Sequence, residues 1–435
     1  MIRFCSTPAR LTFASNVLGL LVLAACDGAT GSEPVPGAGG ALPSVAGSAG
    51  NASIAGSGSP SVSGGAAAAG GNSVGTAGTG MSGGSAGGNA GAGGTTGAGA
   101  AAGAANSGGG NGGGSSGGTA STPDTTWVPD PSWACGVPEG FVPPTRGQLV
   151  FDATFDLGDT HDVGATQYGQ RRVLDVRGGS IMGEKLAASV LTGGLELELT
   201  LSNGARELEQ LHMLRASDGT LIYLRGCGVA PAGESTMRFV PDFEVATSSG
   251  LAWLNTGKFV GTRTVDAAAK KITLAVYDVS KVTASEPRTT LKDPAGVANQ
   301  PWECSTMTGA KGDSVFTETV GIGSSLAVGA SKRGTRNVIP ITGGSVTGRV
   351  TGKVLPGGAD FQIVSGTAKL DARYTLASND GEFIIIRNCG SFGALIPQFE
   401  TRAAGPYAFL NANTFVSSDP GSATGGVSIT IYERK

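Results

Sequence analysis

Histidine is nearly missing from this 435-residue chain: there are two, His161 and His212. Neither lies beyond residue 212, so the C-terminal half has no imidazole to serve as a base or metal ligand. Net charge is scarce too. Thirty basic residues face 33 acidic ones, a balance of −3, which gives no electrostatic case for nucleic acid or an anionic membrane surface as a partner. After residue 26 no segment approaches the ~20 apolar residues of a helical membrane span. Between residues 27 and 122 large side chains vanish. That stretch holds 34 of the 75 glycines, no aromatic residue, no Lys or Arg, and only Asp27 and Glu33 as acids. It has too little apolar surface to offset its conformational entropy and reads as a disordered tether. The remaining 313 residues suffice for roughly two domains of ~100–200 residues.

What is present begins with an address. Arg3 and Arg10 precede the apolar run Leu18-Gly19-Leu20-Leu21-Val22-Leu23, the layout of a secretory signal peptide. The run ends Leu23-Ala24-Ala25-Cys26, which resembles a bacterial lipobox. That resemblance implies that Cys26 carries diacylglycerol, becomes the new N-terminus and receives a further acyl chain. The expectation is an exported protein, lipid-anchored to the bacterial cell envelope on its periplasmic face or at the cell surface, with the membrane as partner through Cys26. The plainer reading is an ordinary secretory peptide with a chance cysteine. Each buried methylene adds about 0.8 kcal/mol, so several acyl chains make a stable anchor. A Gly-rich coil of 96 residues spans roughly 50–60 Å, enough to hold a folded cargo clear of the bilayer. Gly78-Thr79-Gly80-Met81-Ser82-Gly83 fits GxGxxG, but no strand precedes it and no helix follows, so no dinucleotide cofactor is expected.

The remaining chain is an internal duplication. Trp133-Ala134-Cys135 matches Trp302-Glu303-Cys304. Val163-Gly164, Gly169, Arg171, Val173 and Gly178-Gly179 match Val328-Gly329, Gly334, Arg336, Val338 and Gly343-Gly344. Further on, Gly193-Gly194 matches Gly357-Gly358, Arg225-Gly226-Cys227-Gly228 matches Arg387-Asn388-Cys389-Gly390, and Phe243-Glu244 matches Phe399-Glu400. The period is too long for a solenoid repeat, so each copy is expected to be a domain. The division runs 1–26 signal peptide and lipobox, 27–122 tether, 123–280 first domain, 281–301 linker and 302–435 second domain.

Each copy reads as antiparallel β structure. Leu195, Leu197, Leu199 and Leu201 alternate strictly with Glu196, Glu198 and Thr200. Asn203-Gly204 then supplies the positive φ angles of a tight hairpin. Glu207–Leu214 runs back, and Asp218-Gly219 turns into Leu221-Ile222-Tyr223-Leu224. A last hairpin is expected from Leu251–Gly261 with Lys271–Val279, and from Tyr407–Ser417 with Val427–Glu433. About eight short strands per copy and no convincing amphipathic helix predict an all-β fold of two tandem up-and-down barrels, since closure removes exposed edges. A sandwich is the alternative. The Gly-Gly pairs read as bulges or barrel corners.

Four cysteines remain after Cys26: Cys135, Cys227, Cys304 and Cys389. They occupy the same two places in each copy of a chain expected to be exported. The connectivity that repeats within each domain is Cys135–Cys227 with Cys304–Cys389, worth roughly 4–5 kcal/mol each on the entropic account. Free thiols are the other reading. Zinc is disfavoured because no histidine sits near any of the four in sequence, and no metal site is expected.

The second copy reads Gly334-x-Arg336, Ile341-Thr342-Gly343-Gly344, Leu355-Pro356-Gly357-Gly358-Ala359-Asp360-Phe361, Leu370-Asp371-Ala372-Arg373-Tyr374, Asn379-Asp380-Gly381, Phe399-Glu400-Thr401 and Phe409-Leu410-Asn411. In this order the strings resemble the family called domain of unknown function 3237, over nearly all of residues 311–435. The first copy is similar but weaker, with Glu196 in place of Asp360, Glu209 of Asp371 and Leu211 of Arg373. The resemblance implies closed barrels of the calycin or allene-oxide-cyclase kind and implies no particular activity.

The sharpest chemical candidate is Asp371 with Arg373, two apart on a strand and so on one face. If that face is the barrel interior, both charges need partners, and Asp360 and Asn411 are placed to join them. Such a pocket suits a small polar or amphipathic ligand held by bidentate hydrogen bonds, or a carboxylate acting as general base. A structural ion pair is the bland reading. The leading expectation is a small-ligand binding or interaction module. The alternative is an enzyme of cyclase, isomerase or hydrolase type using Asp360, Asp371 and Arg373. Glu244 and Glu400 read as solvated or register-fixing charges, and His212 as packed or half-exposed.

Overall fold

The computed structural model describes residues 126–129, 142–283, 288–293 and 295–435. The expected signal peptide, Cys26, the 27–122 tether and Cys135 lie outside the described residues.

Strand β1 (Thr126–Val128) comes first and is followed by the nine strands of the first barrel. They are β2 (Gln148–Ala165), β3 (Gln170–Met182), β4 (Ala187–Val190), β5 (Gly194–Thr200), β6 (Arg206–Ala216), β7 (Leu221–Ala230), β8 (Met237–Val245), β9 (Phe259–Asp266) and β10 (Lys271–Asp278). Neighbours run β2-β10-β9-β8-β7-β6 and return through β3 to β2. Strands β4 and β5 share one position, each pairing with both β3 and β6. The result is a closed antiparallel barrel of eight positions, which leaves no unpaired edge.

Strand β11 (Arg288–Thr290) lies in the expected linker and pairs in parallel with β1. The second copy supplies β12 (Lys311–Ile322), β13 (Leu326–Ser331), β14 (Gly334–Gly348), β15 (Gly352–Val354), β16 (Ala359–Ser365), β17 (Thr367–Ser378), β18 (Phe383–Ser391), β19 (Ala394–Glu400), β20 (Phe415–Ser417), β21 (Gly421–Ala423) and β22 (Gly426–Arg434). Its order matches the first, β19-β18-β17-β15-β14-β12-β22-β20, with β16 between β14 and β17. Where β8 pairs with β9 in the first barrel, no ladder joins β19 to β20 among the described residues. Strand β20 has only three residues, and a side chain reaches across instead: Phe399 N of β19 donates to Asn413 Oδ1 (2.6 Å), just ahead of β20.

Residues 251–258 and 407–414 differ from expectation. Each holds a 3₁₀ turn, Ala252–Asn255 or Ala408–Ala412, before the strand starts at Phe259 or Phe415. The cause is one asparagine in each copy. Asn255 accepts from Val245 N (3.1 Å) and donates to Val245 O (2.9 Å), and Asn411 does the same with Thr401 (2.9 and 3.0 Å). A side-chain amide thus replaces the neighbouring strand. At the second Gly-Gly corner, Gly358 has φ +75°, and a Cβ there would lie 1.9 Å from Arg373 O, so only glycine fits.

Each barrel has its own apolar core, one around Phe155, Leu214, Leu224 and Phe243, the other around Phe316, Leu376, Ile386 and Phe399. Cys304 and Cys389 form a disulfide with Cα atoms 6.0 Å apart. Cys227 is also disulfide-bonded.

Candidate functional site

The two barrels meet through outward-facing strand residues. Leu195 and Leu197 of β5 pack with Val163, Val173 and Ile385, while Ala359 and Phe361 of β16 pack with Val328, Val338 and Tyr223. These two clusters use corresponding residues in exchanged roles. The polar contacts repeat the exchange. Arg171 of the first copy donates to Glu400 of the second (2.9 Å), and Arg336 of the second donates to Glu244 of the first (2.6 and 3.1 Å). Thr166 and Ser331 hydroxyls reach the same two glutamates at 2.6 Å. Ala403 N bonds Ala165 O, and Thr247 N bonds Ala330 O, each at 2.8 Å. Residue i touching j while j touches i is the mark of a self-complementary twofold interface. The duplication therefore folds as a covalently linked dimer.

At the centre of this seam lie Asp371 and Arg373, outside the barrel rather than in its interior. Strand β17 turns Ala372, Tyr374 and Leu376 toward the lumen, which leaves Asp371 and Arg373 on the outer face. Asp371 Oδ1 accepts from Arg373 Nε (3.0 Å) and Arg387 Nε (2.9 Å), and Oδ2 accepts from Nη2 of each at 3.0 Å. Arg373 Nη1 crosses to Glu209 Oε2 at 2.7 Å. Arg225, the counterpart of Arg387, donates to Glu209 (2.9 Å). Both Arg225 and Arg387 donate to the single carbonyl of Trp302 at 3.0 Å. Burial opposes ionisation of both acids, but the arginines outweigh it. Glu209 is held down to about 2 and Asp371 is lowered further, while the Asp371 and Glu209 charges raise Arg373 despite its burial.

Asp360 is close by but in a different role. It accepts from Asp371 N (3.1 Å) and Gln362 Nε2 (2.7 Å), filling a gap in the β16–β17 ladder. Without a cation of its own, burial raises its pKa to about 6. Asn411 is committed to the Thr401 backbone. So Asp371 and Arg373 come together, Asp360 on the other face of the sheet meets them through the Asp371 backbone N–H, and Asn411 serves the turn. Cys304, Asp371 and Cys389 bring potential ligand atoms within 4.8 Å. Both sulfurs are spent in the disulfide and both Asp371 oxygens on arginines, so the group does not suit a metal.

Beside the network is a cleft of about 60 Å³ lined by both barrels and the linker, including Tyr168, Arg171, Gln300, Arg373, Gln398 and Glu400. Gln300 ties the linker down, accepting from Arg171 Nη2 and donating to Glu207, both at 2.7 Å. The importance of Arg171 and Glu400 escaped the motif reading. The available signal was that Gly-x-Arg and Phe-Glu both survive in both copies, as a reciprocal contact requires.

The profile of the family described as Protein of unknown function (DUF3237) matches residues 145–282 and 311–396, together more than half of the chain. The chain belongs to the DUF3237 family. A UPF0311 protein of Bradyrhizobium diazoefficiens is 46% identical over 78 residues, 18% of this chain and 51% of the relative. One from Clostridium acetobutylicum is 36% identical over 107 residues, 24% of this chain and 68% of the relative. The chain spans about half the length of the first curated relatives it matches. Among solved structures, a protein of unknown function from Clostridium acetobutylicum aligns at 22% identity with TM-score 0.29, covering 31% of this chain and 98% of that one. In this DUF3237 tandem, Leu211 holds the position of Arg373, so the central network has three arginines against two carboxylates.

Proposed function

We propose that this protein is a ligand-binding module, displayed on the bacterial cell envelope by a lipid on Cys26, whose site is the cleft between the two barrels. The observation that carries the reading is the cleft itself, walled by both copies and bridged by Gln300, with Arg171, Arg373 and Gln398 set among apolar residues such as Leu197 and Phe399. At ~10–15 Å³ per water-sized group, its 60 Å³ takes a very small molecule or the head of a larger one. Binding is favoured over catalysis because Asp371 is clamped by two arginine forks and stays ionised, unable to exchange a proton near neutrality. The second reading, an acid–base enzyme, is favoured by Asp360, whose carboxyl has Gln362 Nε2 and Asp371 N as its hydrogen-bond donors and which burial raises to about 6.

Native mass spectrometry of the full chain from an oxidising compartment tests the first reading. A small molecule should accompany the wild type and be displaced by Gln398→Trp, which fills the cleft. Retention of the molecule by that variant would contradict the assignment. Turnover abolished by Asp360→Asn with binding intact would favour the enzyme. Loss of detergent-phase partitioning in Cys26→Ser tests the anchor.

A further inference from the structure

We infer that the cleft reads a small oxyanion, a carboxylate above all, through Arg171. The inference rests on the binding reading and adds the chemistry of the ligand. It starts from a broken symmetry. Arg336 uses every arm of its guanidinium. Nε and Nη2 bond Glu244, and Nη1 donates to the carbonyls of Phe361 (2.9 Å) and Gln362 (3.2 Å). Arg171, its counterpart, is 2% exposed and gives Nε to Glu400 and Nη2 to Gln300. Its Nη1 has no hydrogen-bond partner among the described residues, and Arg171 lines the cleft.

A buried guanidinium N–H without an acceptor is costly, and the acceptor that recovers most is a charged oxygen. Of the arginines on the wall, Arg373 and Arg387 are already held by Asp371, which leaves Arg171 as the wall arginine with an unused arm. Burial raises the Tyr168 phenol above its ordinary value, so it stays protonated as a donor at neutral pH. The cleft volume matches a carboxylate with a short tail.

Titration of the full chain with acetate and with acetamide, its neutral isostere, in chloride-free buffer tests the assignment. Acetate should bind at least about 10-fold more tightly than acetamide, the scale of a charged hydrogen bond. Arg171→Gln should weaken acetate at least about 10-fold, while Arg336→Gln, which breaks the matching seam contact, should retain it. Equal binding of the two probes to the wild type would overturn the inference, and that comparison needs no variant to fold. Unchanged acetate affinity in Arg171→Gln would overturn it as well. If a molecule is displaced by Gln398→Trp yet acetate does not bind, the oxyanion falls and the cleft reading stands. If nothing is displaced and acetate does not bind, both fall.

Discussion

The two barrels share strand order and differ inside. The first buries Glu196, Glu198, Gln210, His212 and Arg263, with Glu196 bonded to Arg263 and 3.4 Å from His212 Nε2. The second has Asp360, Gln362, Ala372 and Tyr374 at the places of the first four, and its deepest acid is Glu318, hydrogen-bonded by Tyr374. A carboxylate removed from water needs a cation or a proton. The first barrel uses the cation. Burial would raise Glu196, but Arg263 and His212 lower it below its ordinary value. The second uses the proton, because burial raises Glu318 to about 7 and the Tyr374 hydrogen bond offsets only part of this. One fold therefore tolerates a buried acid by two routes with opposite pH signatures.

The contrast breaks most directly at Arg263. Arg263→Met leaves Glu196 in the lumen without its cation and should cost about 3–5 kcal/mol in denaturant unfolding. The double variant Glu196→Leu/Arg263→Met should recover most of that loss. A small effect of the single change would remove the ion-pair account of the first lumen.

Glu318→Gln sharpens the second lumen. The folded pKa of about 7 lies above the ordinary 4.5, so the native state holds the proton more tightly. The stability this acid contributes is complete below about pH 4.5 and declines as pH rises through about 7. A gap of that size is worth about 3 kcal/mol. The unfolding midpoint of Glu318→Gln should exceed the wild type at pH 8 and match it near pH 4.

The seam shows the opposite slope. Glu209, held at about 2 against an ordinary 4.5, contributes stability that is present above pH 4.5 and lost as pH falls toward 2. Arg373→Leu installs the residue of the first copy, leaving one arginine for each carboxylate. It should cost about 1–3 kcal/mol at pH 7 and less at pH 3. A smaller effect again is expected from Asn255→Ala and Asn411→Ala, about 1–2 kcal/mol each for two hydrogen bonds. The two losses should be similar, since both asparagines make one contact in two copies.

The duplication, the strands and the Cys304–Cys389 bridge were legible because turn glycines, cysteines and period-two runs carry local signals. The direction of each face was not. Leu195, Leu197 and Leu199 alternate with Glu196 and Glu198, and the period says nothing about which set faces the lumen. Here the glutamates point inward to Arg263, and the leucines point outward to be covered by the second barrel and Leu291 of the linker. The same inversion puts Asp371 and Arg373 in the seam. Glu244 and Glu400 read as solvated or register-fixing charges because their cations, Arg336 and Arg171, belong to the other copy.

The central claim is that reciprocal contacts make this tandem one linked dimer, and paired double-mutant cycles at Arg171–Glu400 and Arg336–Glu244 test it most directly. The account predicts coupling of about 1–3 kcal/mol in both cycles. Additive behaviour in both, with the two barrels unfolding in separate transitions, would contradict it.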